Sequence, residues 1–277
     1  MNRLPSRLYH YCSIDSFFNI VKSKSIWLSN SSQMNDSYEN VWVENYFDLI
    51  KEIFNDSKYE KFLESTFNIY KWNNDPPFIF CLSASKDILS QWRAYSNDGK
   101  GVSIGFKTNQ LKFHNRIPAP NVYAHNTLGI AKIEYLTYTQ KQKVKSLCLE
   151  LKNRYDKMEN EDEKILAPMD LSFNLINWGI SFKNSSFKEE KEWRLIHTPT
   201  DTYEEPLSNL SELLFRSNGE KIITYFQYDF EDSFDSKLIP EIVLGPKCNM
   251  TEKEVRKFLD YNNLVNTKVT LSKSTYR

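Results

Sequence analysis

The sequence predicts an α+β fold in one domain, residues 1–277, with helical insertions at about 38–71 and 140–183. Three observations carry that expectation. Short strand-like apolar runs and longer amphipathic stretches both recur along the chain. Hydrophobic residues make up 40% and aromatics 14%, the composition of a packed protein and not of a disordered one. No repeat, linker or low-complexity segment divides the 277 residues, a length that can bury a substantial core.

Taken in order, Leu8 to Cys12 is an aromatic-rich strand. Ser13 offers a helix cap, and Ile14, Phe17, Phe18 and Val21 fall on one helical face. Ile26 to Ser29 returns as a strand, and Asn30 to Ser37 is loop. Two helices follow at about 38–56 and 57–71, ended by Pro76-Pro77, which supply no backbone donor. Phe78 to Ser83 is a continuous apolar run of buried-strand length. A short helix at Ile88 to Ser96 leads into the turn Asn97-Asp98-Gly99. Val102, Ile104 and Phe106 alternate with Gly101, Ser103 and Gly105, a strand with one face kept small. Residues 108–128 are irregular loop, Ile130 to Tyr138 is a strand, and 140–183 is helical with a break at Glu159 to Lys164. Strands are expected near Trp193–His197, Lys221–Tyr228, Glu241–Leu244 and Lys268–Leu271. Thr251 with Glu254 three residues on forms a capping box for a helix before the last strand.

Lys plus Arg equals Asp plus Glu at 36 each, so no global field recruits nucleic acid or a membrane. The longest apolar stretches fall far short of the roughly 20 residues of a membrane span. The segment Met1 to His10 lacks an apolar signal core, which points to the cytoplasm. Cys12, Cys81, Cys148 and Cys248 are scattered without a C-x-x-C pair, the pattern of small buried residues with no metal and no disulfide.

Chemistry concentrates in three segments. The run Phe187-Lys-Glu-Glu-Lys-Glu-Trp-Arg-Leu-Ile196 sets Glu190 and Glu192 two residues apart where a charged loop enters an apolar strand. Strand periodicity puts both on one face, where each disfavours the other's ionised form unless a cation sits between them. The alternative is a solvated charge run neutralised by Lys188, Lys191 and Arg194. His10 in Leu8-Tyr-His-Tyr-Cys-Ser13 is either a satisfied core histidine or, at a strand-to-helix junction, a group facing a mouth. Trp92 and Tyr95 in Ser90-Gln-Trp-Arg-Ala-Tyr95 have the spacing of core packing as well as of a ligand platform.

The ordered set resembles a bacterial domain-of-unknown-function family, number 2971. The residues that carry the resemblance are Leu8-Tyr-His-Tyr, Ile26-Trp-Leu-Ser, Asn35-Asp36-x-x-Glu39, the strand ending in Ser83, Gln91-Trp92-x-x-Tyr95, Gly101-Val-Ser-Ile-Gly-Phe106, Glu190-x-Glu-Trp-Arg194 and Ile242-Val-Leu-Gly-Pro246. The resemblance runs from about residue 8 to 262. That family is in turn similar to the ADP-ribosyltransferase fold of poly-ADP-ribose polymerases, which implies mixed and antiparallel strands around a cleft. Tyr11 departs from the Gly or Thr common after the first-strand histidine.

The resemblance implies roles. His10 matches a histidine that hydrogen-bonds a ribose hydroxyl of NAD, and Tyr95 a tyrosine that stacks on nicotinamide, where an aromatic face favours a cation. Ser83 falls in the same cofactor-binding segment. Glu192 matches the catalytic glutamate that stabilises the oxocarbenium-like charge, and Glu190 the residue that orients or deprotonates the acceptor. Arg216 either pairs the pyrophosphate or is spent in a surface salt bridge. Asn35, Asp36 and Glu39 are explained as well by helix capping.

The expected function is therefore an enzyme that uses NAD as substrate and passes ADP-ribose to a macromolecular acceptor, protein or nucleic acid. Such enzymes commonly act as toxins or antiphage effectors. The alternatives are an NAD glycohydrolase and an inactive nucleotide-sensing module of the same fold. A glycosidase fits less well, because its two carboxyls lie at least about 5 Å apart and usually on different strands.

Overall fold

The structure, a computed structural model, describes residues 3–34, 41–200, 203–217, 219–230 and 233–276. Asn35, Asp36 and Glu39 lie outside the described residues. In chain order the first elements are β1 (Arg7–Cys12), α1 (Ile14–Ser23), β2 (Ser25–Asn30), α2 (Phe47–Ile53), α3 (Glu60–Asn73), β3 (Phe78–Ser83), α4 (Leu89–Tyr95) and β4 (Val102–Lys107). They are followed by β5 (Leu128–Lys132), α5 (Thr137–Tyr155), α6 (Glu161–Ser181), β6 (Glu192–His197), β7 (Leu214–Ser217), β8 (Ile222–Asp229), β9 (Glu241–Leu244), α7 (Glu252–Asp260) and β10 (Lys268–Leu271). The chain forms two compact units, one of residues 1–30, 78–132 and 188–277, the other of 31–77 and 133–187. Among the described residues no helix is long and apolar enough to cross a membrane.

The first unit is built on an open, mixed sheet in the order β10-β9-β4-β1-β3-β2-β8-β7, with β6 and β5 branching from β3. The β9–β10 pair is parallel and the other pairs are antiparallel. Strand periodicity sorts its residues cleanly. Leu8, Ile26, Leu28, Phe80, Leu82, Ile104, Phe106, Trp193, Leu195 and Phe226 belong to one buried apolar cluster. The opposite face carries Tyr9, Tyr11, Trp27, Ser29, Ser83, Ser103, Glu192, Arg194 and Tyr225, placed there by the pairing of Tyr9 with Ser83, Ser83 with Glu192, and Ser29 with Tyr225. One face is therefore core and the other is polar and aromatic.

The sheet forks at β3. On one side β3 pairs along its whole length with β6. On the other it meets β1 only at Ser83 and β2 only at Phe78 and Ile79. Between those contacts the Nδ1 of His10 lies 2.9 Å from the Cys81 carbonyl. A carbonyl can only accept, so Nδ1 carries the proton and the imidazole links β1 to β3.

The small face of β4 has a steric cause. A Cβ on Gly101 would lie 2.0 Å from the Cys12 carbonyl oxygen, and one on Gly105 would lie 2.9 Å from the Tyr9 ring. Both glycines are where a neighbouring strand or ring passes too close for a side chain.

His197, on the core face of β6, is fully buried beside Phe78 and Phe226. Thr127 donates its hydroxyl proton to the Ala124 carbonyl, so it accepts from the His197 Nδ1–H at 3.0 Å. Burial lowers the His197 pKa to about 4, only partly opposed by the bond at Thr127. Since an unfolded histidine titrates near 6.5, the unfolded chain takes up a proton that the native site refuses. The resulting stability is present above about pH 6.5 and is lost as pH falls toward 4, by up to about 3 kcal/mol for this residue. Urea-unfolding free energies measured across that window are expected to fall more gently for His197→Asn than for wild type. Equal slopes would refute a neutral His197.

The second unit is helical. Val43, Ile50, Phe54, Tyr59, Phe62, Val144, Cys148, Leu171 and Leu175 form its core. Gln140, fully buried, joins its parts: its Nε2 donates to the carbonyls of Glu134 and Lys183, and its Oε1 accepts from Tyr46 Oη at 2.7 Å and Trp42 Nε1 at 3.1 Å. All four hydrogen-bonding positions of the amide are filled, which is how a polar side chain is tolerated there.

Several local expectations are corrected. The first of the two helices expected at 38–71 begins with a 3-10 turn, Trp42–Tyr46, before α2. The strand expected at Ile130–Tyr138 ends at Lys132, and α5 has already begun by Thr137. Strand β7 was not anticipated, and its Leu-Phe-Arg-Ser sequence is too short and too exposed to give a period.

Candidate active site on the polar face

The polar face is built around the start of β6. Glu190 is the last residue of a 3-10 helix, Ser185–Glu190, and β6 begins only at Glu192. Lys191 between them has φ 48°, in the left-handed region. The period-two argument that aligned Glu190 with Glu192 therefore fails, because the two are not on one strand. A left-handed residue turns the chain between them.

They are nonetheless brought to the same place by β3. Ser83, opposite Glu192 in the ladder, donates its Oγ proton to the Glu190 carbonyl at 2.7 Å, and the Ala84 amide bonds the Lys191 carbonyl at 2.9 Å. Ser83 is buried and also accepts from the Ser85 amide. Its hydroxyl is engaged within the chain, and it positions Glu190.

Helix α4 supplies the aromatic group. Trp92 is fully buried against Tyr11, ring centroids 4.8 Å apart, and its indole Nε1 donates to Asp87 at 2.6 Å. Tyr11, with its hydroxyl on the Ser85 carbonyl and the Ile88 amide, fixes the start of the same helix. That tether gives Tyr11 a structural reason to be bulky. One turn beyond Trp92, Tyr95 emerges to 38% exposure and donates its hydroxyl to Glu190 Oε1 at 2.8 Å. The Tyr95 ring is thus held by its far end and is partly exposed.

Glu192 has a different environment. It is 4% exposed, and Arg194, 1% exposed, meets it on the same side of the strand. Arg194 Nε donates to Oε1 at 2.8 Å and Nη2 to Oε2 at 3.3 Å. This is a buried, two-point ion pair. The two-point contact fixes the orientation of the Glu192 carboxylate on the strand.

Tyr95, Glu190, Ser83, Glu192 and Arg194 thus form one group. His10 does not join it. The register places His10 with Leu8 and Cys12 on the core face, its ring stacked on Phe80 at 4.0 Å. Burial lowers its pKa to about 4, the bond to Cys81 opposing weakly, so it is neutral at pH 7. Of the two readings of His10, the geometry matches the satisfied core histidine. Arg216 lies on the polar face, but on β7 at the far end of the strand order, where it reaches Ser29 and Trp27.

Two features escaped the sequence reading. One is the pairing of Arg194 with Glu192: the alternative of a solvated charge run counts Arg194 among its neutralisers, although a spacing of two on a strand implies a shared face. The other is a second polar cluster, where buried Glu241 accepts from Lys86 at 2.7 Å and Tyr9 at 3.2 Å, with Arg7 at 3.8 Å. Burial, with the Glu241 charge adding, pushes the Tyr9 pKa up.

No curated protein and no solved structure matches the chain. Residues 91–195, which run from α4 into β6 and include Tyr95, Glu190, Glu192 and Arg194, match the model of a family described as "Protein of unknown function (DUF2971)", and the match supports that family.

Proposed function

We propose that the polar face of the first unit binds NAD and cleaves its nicotinamide–ribose bond, passing ADP-ribose to a macromolecular acceptor. The observation that supports it is the convergence of Tyr95, Glu190 and Glu192, with Glu192 held by Arg194. In this reading nicotinamide stacks on the Tyr95 ring. The C1′–N bond breaks with its electron pair leaving on the ring nitrogen, which neutralises the pyridinium and leaves positive charge at C1′. Glu192, accepting from the ribose 2′-hydroxyl, stabilises that charge. The acceptor's oxygen or nitrogen then bonds C1′, and its proton passes to Glu190. Water in place of the acceptor makes the same site a glycohydrolase. His10, across the sheet, takes no part.

A second reading rests on the depth of the Glu192–Arg194 pair: a nucleotide-sensing module that binds without turnover. Purified protein incubated with NAD, with and without cell lysate, separates them. The catalytic reading expects nicotinamide in the chromatogram, labelled ADP-ribose on protein or nucleic acid, and a loss of about 2- to 30-fold on Tyr95→Ala, the equivalent of a cation–aromatic contact. Calorimetric binding of NAD with no nicotinamide under either condition would leave the sensing module. Binding and release both absent would sink the two together.

A further inference from the structure

The polar face holds a second chemistry at its β7 end. Arg216 extends from β7 across β8 to β2. Its guanidinium lies over the Trp27 indole at 5.6 Å, and Trp27 in turn packs on the Tyr225 ring at 4.7 Å. The aromatic face favours the cation there and helps to hold the guanidinium in place. Nη2 donates to Ser29 Oγ at 3.3 Å. Nε, shielded from solvent, has no hydrogen-bond partner among the described residues. The Ser29 hydroxyl accepts from Arg216, and its own proton meets no acceptor among the described residues.

Two neighbouring donors therefore have no acceptor among the described residues, and one belongs to a permanent cation. No carboxylate among the described residues pairs with Arg216. Burial pushes the Arg216 pKa below its ordinary value, as it does for a cation short of compensation. An unmet buried donor on a charged group is costly, and such a group is retained where a ligand supplies the acceptor. The chain itself shows what that edge takes. Arg194 uses the same Nε/Nη2 edge to hold the two oxygens of Glu192.

We infer that Arg216 and Ser29, on the Trp27 platform, form a subsite for a phosphoryl oxyanion of a nucleotide bound on the polar face. One oxygen would accept from Nε and another from Nη2 and the Ser29 hydroxyl, the two-point geometry that favours arginine over lysine. The subsite rests on the nucleotide reading of this face only for the rest of the ligand. The oxyanion itself is dictated by the unmet donors.

The test titrates the full chain calorimetrically with ADP, adenosine and inorganic pyrophosphate. ADP and pyrophosphate are expected to bind, and adenosine at least about tenfold more weakly, a comparison that needs no mutation. Arg216→Gln should lower ADP affinity by about 10- to 100-fold, the worth of a charge-assisted contact. Arg216→Lys should recover only part of the loss, and Ser29→Ala should lose several-fold. Adenosine binding as tightly as ADP in wild type would overturn the subsite. So would ADP failing to bind, or binding Arg216→Gln as well as wild type. ADP binding that depends on Arg216 without any nicotinamide release would refute NAD cleavage and keep the subsite. Nicotinamide release with ADP binding indifferent to Arg216 would do the reverse.

Discussion

Arg194→Met is expected to lose about 3–5 kcal/mol of folding stability, read as a lower urea midpoint with an unchanged slope. The side chain it replaces is among the largest fully buried groups in the molecule and holds Glu192 at two points. Methionine fills most of the volume but leaves the carboxylate buried without that counterion, and losing one member of a buried pair costs far more than losing one of a surface pair. Adding Glu192→Gln to Arg194→Met removes the remaining charge of the pair and should recover the protein to within about 1–2 kcal/mol of wild type, since a buried pair replaced on both sides is often nearly neutral. If the single variant unfolds at the wild-type midpoint, the pair is solvated in solution and the burial argument fails. Glu192→Gln alone is for the same reason a poor probe of catalysis, because it removes the charge that Arg194 meets at two points.

The parts of this arrangement that the sequence disclosed are those governed by local rules. Buried strands β3, β4 and β9 follow from apolar runs and alternation, and the box at Thr251 and Glu254 forms as written. Errors occur where a longer-range contact overrides the pattern. Lys191 breaks the expected strand because Glu190 is drawn to Ser83 and Tyr95 from another part of the chain. The fork at β3 has no signature at all, since a strand shared by β1 and β2 at opposite ends has the same apolar run as one paired throughout. His10 was placed by its position on β1, but which face it occupied depended on that fork. Arg216 is a cation in any reading, yet its partners Trp27 and Ser29 lie nearly two hundred residues earlier in the chain and have no signature in spacing.

The charge-free pair Glu192→Gln with Arg194→Met also decides what Glu192 does. Because the double variant keeps the fold, a change in nicotinamide release is assignable to chemistry. Removing a preorganised charge that faces a developing cation should slow release by about 10²–10³-fold. ADP affinity, set at the β7 end of the face, should stay within about twofold, which shows that the face still assembles. Release at the wild-type rate would mean that the buried pair is scaffold, with Arg194 and Glu192 doing no more than closing the polar side of β6. The negative charge facing the sugar would then have to come from Glu190, the carboxylate that Tyr95 already touches. Glu190→Gln separates these cases without disturbing the ion pair. If Glu192 is the catalytic group, this variant loses transfer to the acceptor while nicotinamide still appears. If Glu190 is, both are lost together.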